Sequence, residues 1–182
     1  HSQSLRMVRG LDGETLAKQA EAIEGLNAEL DGITLLRGLE TEILADGSLD
    51  LTEDELGRLD LVVGAVHGHF DLGREKQTER LLWALEHPYL TFLAHPTGRL
   101  INERQSYAVD MEKVVAAARE RGCFLELNAH PDRLDLNDSH CRLARKMGVK
   151  VGISTDAHSI EGLKNIRYGV GQARRGWLSK DD

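Results

Sequence analysis

The sequence predicts an α/β protein built around a parallel sheet, on three observations. Short apolar runs alternate with longer amphipathic segments along most of the 182 residues, which is typical of repeated strand–helix units. The apolar runs are nearly continuous, which indicates strands that are covered by helices. Such runs recur five times along the chain. Periodicity leaves two architectures open, a doubly wound sheet and a β/α barrel.

The predicted elements follow the chain in a regular order. A helix begins after Asp12, its N-cap, and runs to about Leu30, because apolar residues recur there on one face. A second helix, "REKQTERLLWALEH", ends near the break at Pro88. Two more helices, "DMEKVVAAARERG" and "DSHCRLARKMG", each stop at a glycine. The predicted strands are "ITLLRGLE", "LDLVVGAVHG", "LTFLAHP", "CFLELN" and "VKVGISTDAH".

Composition predicts one globular domain and argues against unaided binding of long nucleic acid. The hydrophobic share of 41% over 182 residues supports one sizeable core. Asp and Glu number 30 against 23 Lys and Arg, which gives a net charge of -7. Such a chain would need metal ions or a local basic patch to hold a nucleic acid.

Cysteine usage and hydropathy predict a cytoplasmic protein. Cys123 and Cys141 form no CxxC pair and are expected to be free thiols. No apolar run approaches the roughly 18 residues that span a bilayer, so no membrane partner is expected, and no signal peptide is evident. The chain begins with His1 rather than Met, and we expect that its true beginning is missing.

Polar side chains stand at the carboxyl end of every predicted strand. Sites in parallel α/β proteins form at these ends, because the loops converge there while the strand bodies stay buried. A single histidine in such a place is most often a hydrogen-bonded loop residue, and a single carboxylate is most often a turn or cap residue. Together they indicate one shared centre. The residues are Glu40, His67, His69, His95, Asn128, His130, Asp156 and His158.

These residue types favour a catalytic metal site. Histidines and carboxylates without cysteine suit Zn²⁺ or Mn²⁺ better than Ca²⁺. Asp156 and His158 lie two apart in an extended segment, so both could face one centre; alternatively, Asp156 caps a helix that begins near Ser159. Ions about 3.5 to 4 Å apart could activate a water and neutralise the oxygens of a phosphoester. The predicted reaction class is metal-dependent hydrolysis.

Further residues near the strand ends are candidates for substrate binding. Arg99 and Arg133 follow strand ends in "HPTGR" and "HPDR", where a guanidinium could hold a phosphate through two hydrogen bonds. A surface ion pair with one of the 30 acids is an equally good explanation for either arginine. Three residues that flank the predicted metal site, His69, Asn128 and His130, could also contact the substrate.

Seven stretches of the sequence carry a resemblance to a known family. They are "HSQSL", "GLETEIL", "GAVHGHF", "LAHPTGRL", "LELNAHPDRLDL", "GISTDAHS" and "IRYGVGQARRGWLSKDD". The chain resembles a PHP domain (polymerase and histidinol phosphatase) over almost its whole length. "STDAH" or "AHP" alone would indicate only a PHP domain, whereas "HPTGRL", "PDRLDL" and "ARRGWL" together are similar to the C-terminal PHP domain of bacterial family X DNA polymerases.

The resemblance implies a distorted seven-stranded β/α barrel, here missing its first strands. It also implies up to three divalent ions, Mn²⁺ or Zn²⁺, at the carboxyl ends of the strands, with Glu40 bridging two of them. A metal-activated water would be the nucleophile, and no catalytic side chain is implied. The remaining implied ligands are His67 and His95 for the first site, Asp156 for the second, and His1 and His158 for the third.

The resemblance further implies boundaries and an activity. Residues 1–182 would form a single PHP domain fragment, because the His-x-His motif and the Asp of the family's first strands are absent, as is the polymerase region upstream. The implied activity is a Mn²⁺-dependent 3′ to 5′ exonuclease, with related 3′-end processing in DNA repair, acting on a DNA 3′ end beside a polymerase domain in cis. Two alternatives stay open: a phosphomonoesterase of the histidinol-phosphatase type, and a non-catalytic scaffold that lacks some ligands.

Overall fold

A computed structural model of the protein describes residues 13–182. Within this range, five strands form one sheet in which every neighbouring pair is parallel. Their order across the sheet is the same as their order along the chain. The predicted α/β fold with a parallel sheet is therefore confirmed. The strands are β1 (Gly38–Glu42), β2 (Leu61–Ala65), β3 (Phe92–Leu93), β4 (Phe124–Asn128) and β5 (Val151–Ser154).

Helices connect the strands, and two of them end as the sequence predicts. The helices α4 (Met111–Arg121) and α5 (Asp138–Met147) end against Gly122 and Gly148, with φ of 70° and 73°, a left-handed conformation that glycine adopts without strain. No helix in the described range is both long and apolar enough to cross a membrane. The predicted N-cap Asp12 lies outside the described residues. The helices are α1 (Gly13–Glu29), α2 (Glu53–Leu56), α3 (Arg74–Leu85), α4 (Met111–Arg121), α5 (Asp138–Met147) and α6 (Ile166–Arg175), with a 3-10 turn at Glu161–Asn165.

The first strand lies further along the chain than its hydrophobic pattern predicts. The run "ITLLRGLE" predicts a strand that ends at Glu40, whereas β1 continues to Glu42. Ile33 and Leu36 are 61% and 58% exposed, so the start of the apolar run lies outside the sheet. The strand continues through Glu42, which pairs with Ala65 of β2, and the Glu42 carboxylate lies 3.2 Å from the buried guanidinium of Arg80. A pattern of apolar residues cannot reveal such a buried ion pair.

The hydrophobic core lies between the sheet and the helices that pack on it. Leu81 on α3, Val114 on α4 and Leu125 on β4 are fully buried. Close packing reaches the sheet itself: a Cβ at Gly64 on β2 would lie 2.7 Å from the Leu90 Cδ1 atom. This dense core holds the carboxyl ends of β1, β2 and β3 side by side, at the end of the sheet that is called the carboxyl edge below.

Candidate metal centre

Three side chains from neighbouring strands meet at the carboxyl edge of the sheet. Glu40, His67 and His95 each offer one ligand atom, and these atoms all lie within 4.8 Å of one another. The Glu40 Oε1 atom is 3.0 Å from His67 Nε2 and 3.2 Å from His95 Nε2. The two imidazole rings are nearly perpendicular, with centroids 5.2 Å apart. This arrangement unites three of the residues that the sequence proposes as ligands.

Parallel pairing brings the three residues together. Glu40 lies within β1 opposite Val63 of β2, and His67 follows the end of β2 by two residues. His95 follows β3 by two residues and has a φ of 28°, a conformation that costs a non-glycine residue energy. A hydrogen bond of 2.6 Å from the His95 N–H to the Glu126 carboxylate on β4 helps to hold it there.

A second carboxylate on β1, Glu42, orients His67. It accepts hydrogen bonds from the His67 backbone N–H at 3.1 Å and lies 2.7 Å from the ring Nδ1 atom. Since a carboxylate favours a proton on that nitrogen, Nε2 is left to act as a ligand. The buried Arg80 balances the charge of Glu42, and its side chain also donates to the carbonyl oxygens of Ile43, Leu44 and Gly68.

The electrostatics of the cluster are those of a carboxylate between two imidazoles. Burial would raise the pKa of Glu40, but hydrogen bonds from His67 and His95 hold it well below its usual range. Burial likewise opposes the charged form of His67, but hydrogen bonds to Glu40 and Glu42 raise its pKa to about 9. Without a metal ion, a proton on His67 therefore supplies positive charge between these carboxylates.

Glu126 supports the opposite side of the cluster in a different way. Its carboxyl group accepts from the His95 N–H and from the Ser154 hydroxyl on β5. Burial raises the pKa of Glu126, although the charge of His95 and these hydrogen bonds oppose the shift. Glu126 thus ties β3, β4 and β5 together directly behind His95.

The donor set fits a divalent cation of the Zn²⁺ or Mn²⁺ type. Two imidazoles and one carboxylate give mixed nitrogen and oxygen ligands. His95 is 2% exposed, and its Nδ1 atom has no hydrogen-bond partner within residues 13–182. The other ring nitrogen of His95, Nε2, lies 3.2 Å from Glu40 and is the candidate ligand atom. The cluster Glu40–His67–His95 therefore has the chemistry of a metal centre.

Asp156 and His158 lie at the end of β5, outside this three-residue cluster as the described residues define it. Asp156 accepts a hydrogen bond of 3.0 Å from the Asn128 amide and lies 3.3 Å from Arg133 Nε. His158 is exposed, and its Nδ1 atom lies 2.9 Å from the Asp156 carbonyl oxygen. The proposed ligand His1 lies outside the described residues.

The candidate substrate residues occupy the loops around this edge. His69 is exposed and has a φ of 56°. The His130 backbone N–H donates to the Asn128 side chain at 2.9 Å, which fixes the loop after β4. The Arg99 guanidinium donates to the carbonyl oxygens of Arg133 and Leu134. These contacts show how the loops are held, and substrate contact by His69, Arg99, Asn128, His130 or Arg133 stays a prediction.

Sequence reasoning missed three residues that support the centre: Glu42, Arg80 and Glu126. The acids of "GLETE" lie two apart, the spacing that places side chains on one face of a strand, so Glu42 carried a usable signal. Arg80 lies in an ordinary amphipathic helix, and Glu126 interrupts an apolar strand. Nothing in the sequence indicates that these last two are buried beside histidines.

Comparison with known proteins adds a decisive observation. The sequence is 42% identical to "DNA polymerase/3'-5' exonuclease PolX" of Bacillus subtilis (strain 168) over 177 residues, which are 97% of this chain and 31% of that protein. This chain is a homologue of the PHP-containing region of PolX. The resemblance to the PHP domain of bacterial family X DNA polymerases is thereby confirmed.

A second group of relatives carries a different description. A "Probable phosphatase" of Thermoanaerobacter sp. (strain X514) is 32% identical over 145 residues, covering 73% of this chain and 56% of that protein. A "Probable phosphatase" of Acetivibrio thermocellus is 34% identical over 137 residues, covering 71% of this chain and 54% of that protein. The chain thus spans about a third of the PolX relative and about half of these phosphatases. No protein-family model matches the sequence.

Proposed function

We propose that the protein is a metal-dependent phosphoesterase that removes nucleotides from the 3′ end of DNA. The observation that carries this proposal is the cluster of Glu40, His67 and His95, whose ligand atoms lie within 4.8 Å of one another at the carboxyl ends of three parallel strands. The PolX relative, which is described as a polymerase and 3′-5′ exonuclease, supports DNA as the substrate.

The proposed centre takes Mn²⁺ or Zn²⁺. Glu40, His67 and His95 would hold the first ion, and we assign further ions, up to three in all, to Asp156, His158 and His1. Such ions lower the pKa of a coordinated water and neutralise phosphoester oxygens when they are bound. The protein's own groups orient the ligands, because Glu42 and Glu126 fix the two histidines. The residues proposed to contact substrate are His69, Arg99, Asn128, His130 and Arg133.

We also propose that the sheet is part of a β/α barrel of the PHP type. Its strand order follows the chain order. When all crossovers have the same hand, this order places every connecting helix on one face, as in a barrel. A doubly wound sheet instead reverses its strand order at a switch point. The strand order thus supports the barrel, in which residues 1–182 would be a single domain.

The wider setting of the proposed enzyme follows from the same relative. We propose a polymerase domain in cis, a role in DNA repair and a cytoplasmic location. Burial raises the pKa of both Cys123 and Cys141 to about 12, which makes these free thiols unreactive. Inert free thiols are compatible with a reducing compartment.

The test is a direct comparison of two substrates in the presence of Mn²⁺. Release of mononucleotides from a single-stranded oligonucleotide with a labelled 5′ end is expected, with much slower hydrolysis of histidinol phosphate. His67→Ala should abolish the nuclease activity, whereas His87→Ala should retain it, because His87 pairs with Glu53 at 3.3 Å on another part of the surface. Equal nuclease activity in both variants would refute the assignment of the site.

A small-molecule phosphomonoesterase is the second candidate function. It is favoured by the phosphatase relatives, of which this chain spans a larger share than it does of PolX. The same metal centre would serve either reaction, since both transfer a phosphoryl group to water. Activity on histidinol phosphate without nucleotide release would establish this second candidate.

A further inference from the structure

One arginine, Arg104, lies over an aromatic ring in the loop that follows His95. The Cζ atom of Arg104 is 3.9 Å from the centroid of the Phe70 ring. Phe70 in turn stacks on the buried Tyr107, with centroids 6.1 Å apart and planes inclined by 21°. Arg104 Nε donates to the Gly98 carbonyl oxygen at 2.9 Å. These contacts fix the plane of the guanidinium before any ligand arrives.

Phe70 and Arg104 each lie in a segment that follows one of the two histidines of the centre. Phe70 follows His67 by three residues, and the loop that carries Arg104 begins at His95. Gly98 makes the loop possible, because it has a φ of 61° and a Cβ there would lie 2.6 Å from the Tyr107 ring. The Tyr107 hydroxyl donates to the Pro96 carbonyl oxygen at 2.6 Å, which closes the loop. Arg104 therefore lies in a loop that begins at His95 and packs on Phe70, which follows His67.

The loop of Arg104 is bound to the loop after β4. Asp135 accepts hydrogen bonds from the Thr97 N–H at 2.9 Å and from its hydroxyl at 2.8 Å. The Ile101 N–H donates to the Asp132 carbonyl oxygen at 2.6 Å. These bonds hold the two loops together and bring Arg104 within range of the charge of Arg133.

The charges of Arg104 and Arg133 thus act on each other, and within residues 13–182 Arg104 forms no ion pair with a carboxylate, although the charge of Glu103 also acts on it. Burial, followed by the charge of Arg133, lowers the pKa of Arg104. Arg133 has Asp156 at 3.3 Å, whereas no ion pair and no hydrogen bond within residues 13–182 involves the terminal nitrogens of Arg104. Like charges that repel one another in this way are stabilised when an anion lies between them. The unused N–H edge of a fixed guanidinium suits two oxygens of a phosphate.

We propose that Arg104, together with Arg133, binds a phosphate of the substrate other than the one that is cleaved. The ligand class is a nucleic-acid strand with at least two phosphates, as opposed to a small phosphomonoester. This inference rests on the proposed phosphoesterase function and narrows its substrate. The guanidinium N–H groups of Arg104 would donate to the phosphate, and contacts with Phe70 and Gly98 hold the guanidinium in place. Arg133 would donate to the same phosphate, and it also lies 3.3 Å from Asp156.

A binding experiment without metal tests the inference independently of catalysis. Fluorescence anisotropy of a labelled single-stranded oligonucleotide in EDTA at low salt is measured for the protein and for Arg104→Gln. Loss of one charged contact should raise Kd about tenfold and reduce the salt dependence of log K by about 1. Arg142→Gln is the matched control, because Arg142 also lies over an aromatic ring, that of Trp177 at 5.8 Å, and Kd should stay within about twofold.

Kinetics with Mn²⁺ separate the proposed role from a structural one. Arg104→Gln should raise KM for the oligonucleotide about tenfold and leave kcat/KM for the single diester thymidine 5′-(p-nitrophenyl phosphate) nearly unchanged. Equal losses on both substrates, or no change in oligonucleotide binding, would overturn the inference. Arg104→Lys keeps the charge but loses the planar set of N–H donors, so its KM for the oligonucleotide should lie between those of the unaltered protein and Arg104→Gln. It replaces Arg104→Gln in the test if that variant does not fold. If neither substrate is cleaved, the proposed function fails, and the anisotropy result alone decides the role of Arg104.

Discussion

His67 and His95 are each held by a carboxylate from an adjacent strand that accepts the backbone N–H of the histidine. Glu42, which holds His67, is neutralised by the buried Arg80. Glu126, which holds His95, is buried, and this burial raises the pKa of its carboxyl group. Two carboxylates thus orient the histidines of the candidate centre; the charge of one is balanced by an arginine, and burial raises the pKa of the other. Histidines held in this way lose little freedom on binding an ion.

Replacement of Glu42 should weaken metal binding through His67. Glu42→Gln removes the acceptor that favours a proton on Nδ1, and we expect affinity for Mn²⁺ or Zn²⁺ to fall about 10- to 100-fold. Because this change also leaves the charge of Arg80 unbalanced, Glu42→Gln combined with Arg80→Met is the second variant. Titration calorimetry measures the affinity, and Glu53→Gln on the surface is the control. Unchanged affinity in a folded Glu42→Gln protein would show that Glu42 has only a structural role.

Metal binding should strengthen as the pH rises. The pKa of His67 is raised to about 9 in the metal-free protein, so below that pH an ion must displace a proton from His67. The apparent affinity should therefore increase by up to about tenfold per pH unit between pH 7 and pH 9. The metal-free protein behaves in the opposite way, because a raised histidine pKa contributes stability that is complete below about pH 6.5 and is lost as the pH passes 9. Calorimetry in buffers of different ionisation enthalpy counts the released proton.

At the scale of elements, α6 packs on the strands that end at the site through a glycine. A Cβ at Gly169 would lie 2.4 Å from Ile153 Cγ2 on β5 and 2.8 Å from Ala129 Cβ after β4. Two positions further along the same helix, a Cβ at Gly171 would meet nothing within 4 Å. The close approach fixes the end of β5, and hence Asp156, against the loop after β4.

Replacement by alanine should have opposite effects on stability at Gly169 and at Gly171. Gly169→Ala overpacks the contact and should destabilise the protein by about 1 to 3 kcal/mol. Gly171→Ala fills open space in an α-helix and should stabilise it by up to about 1 kcal/mol. Denaturant unfolding of the two variants measures both values. Equal effects at both positions would contradict the packing of α6 on β5.

The sequence predicts the type of most elements well, and their bounds less well where charge is buried. Glycine stops at Gly122 and Gly148 are readable because the left-handed conformation favours glycine. The bounds of β1 cannot be read from the sequence, since Glu42 is buried by its pairing with Arg80, 38 residues further along the chain. In the site, His67 and His95 could be predicted from their positions just after strands, and Glu40 from the end of its apolar run, although β1 continues to Glu42. The carboxylates behind them depend on pairing across the sheet, which no local pattern encodes.

For the whole molecule, the order β1 to β5 places successive strand ends next to one another. Candidate ligands on or just after three consecutive strands can then converge, and Glu40, His67 and His95 occupy such positions. The similarity to PolX over 97% of the chain agrees with this arrangement. The net charge of -7 also implies that metal ions or a local group of basic side chains hold a polyanionic substrate.

The most direct test of the central claim is metal content. The protein is loaded with Mn²⁺, dialysed and measured by inductively coupled plasma mass spectrometry, together with His67→Ala, His95→Ala and the control His87→Ala. We expect the protein and His87→Ala to retain the same stoichiometric amount of metal, and both site variants to lose at least one equivalent. If His67→Ala and His95→Ala are folded and retain as much metal as the control, Glu40, His67 and His95 are not a metal centre.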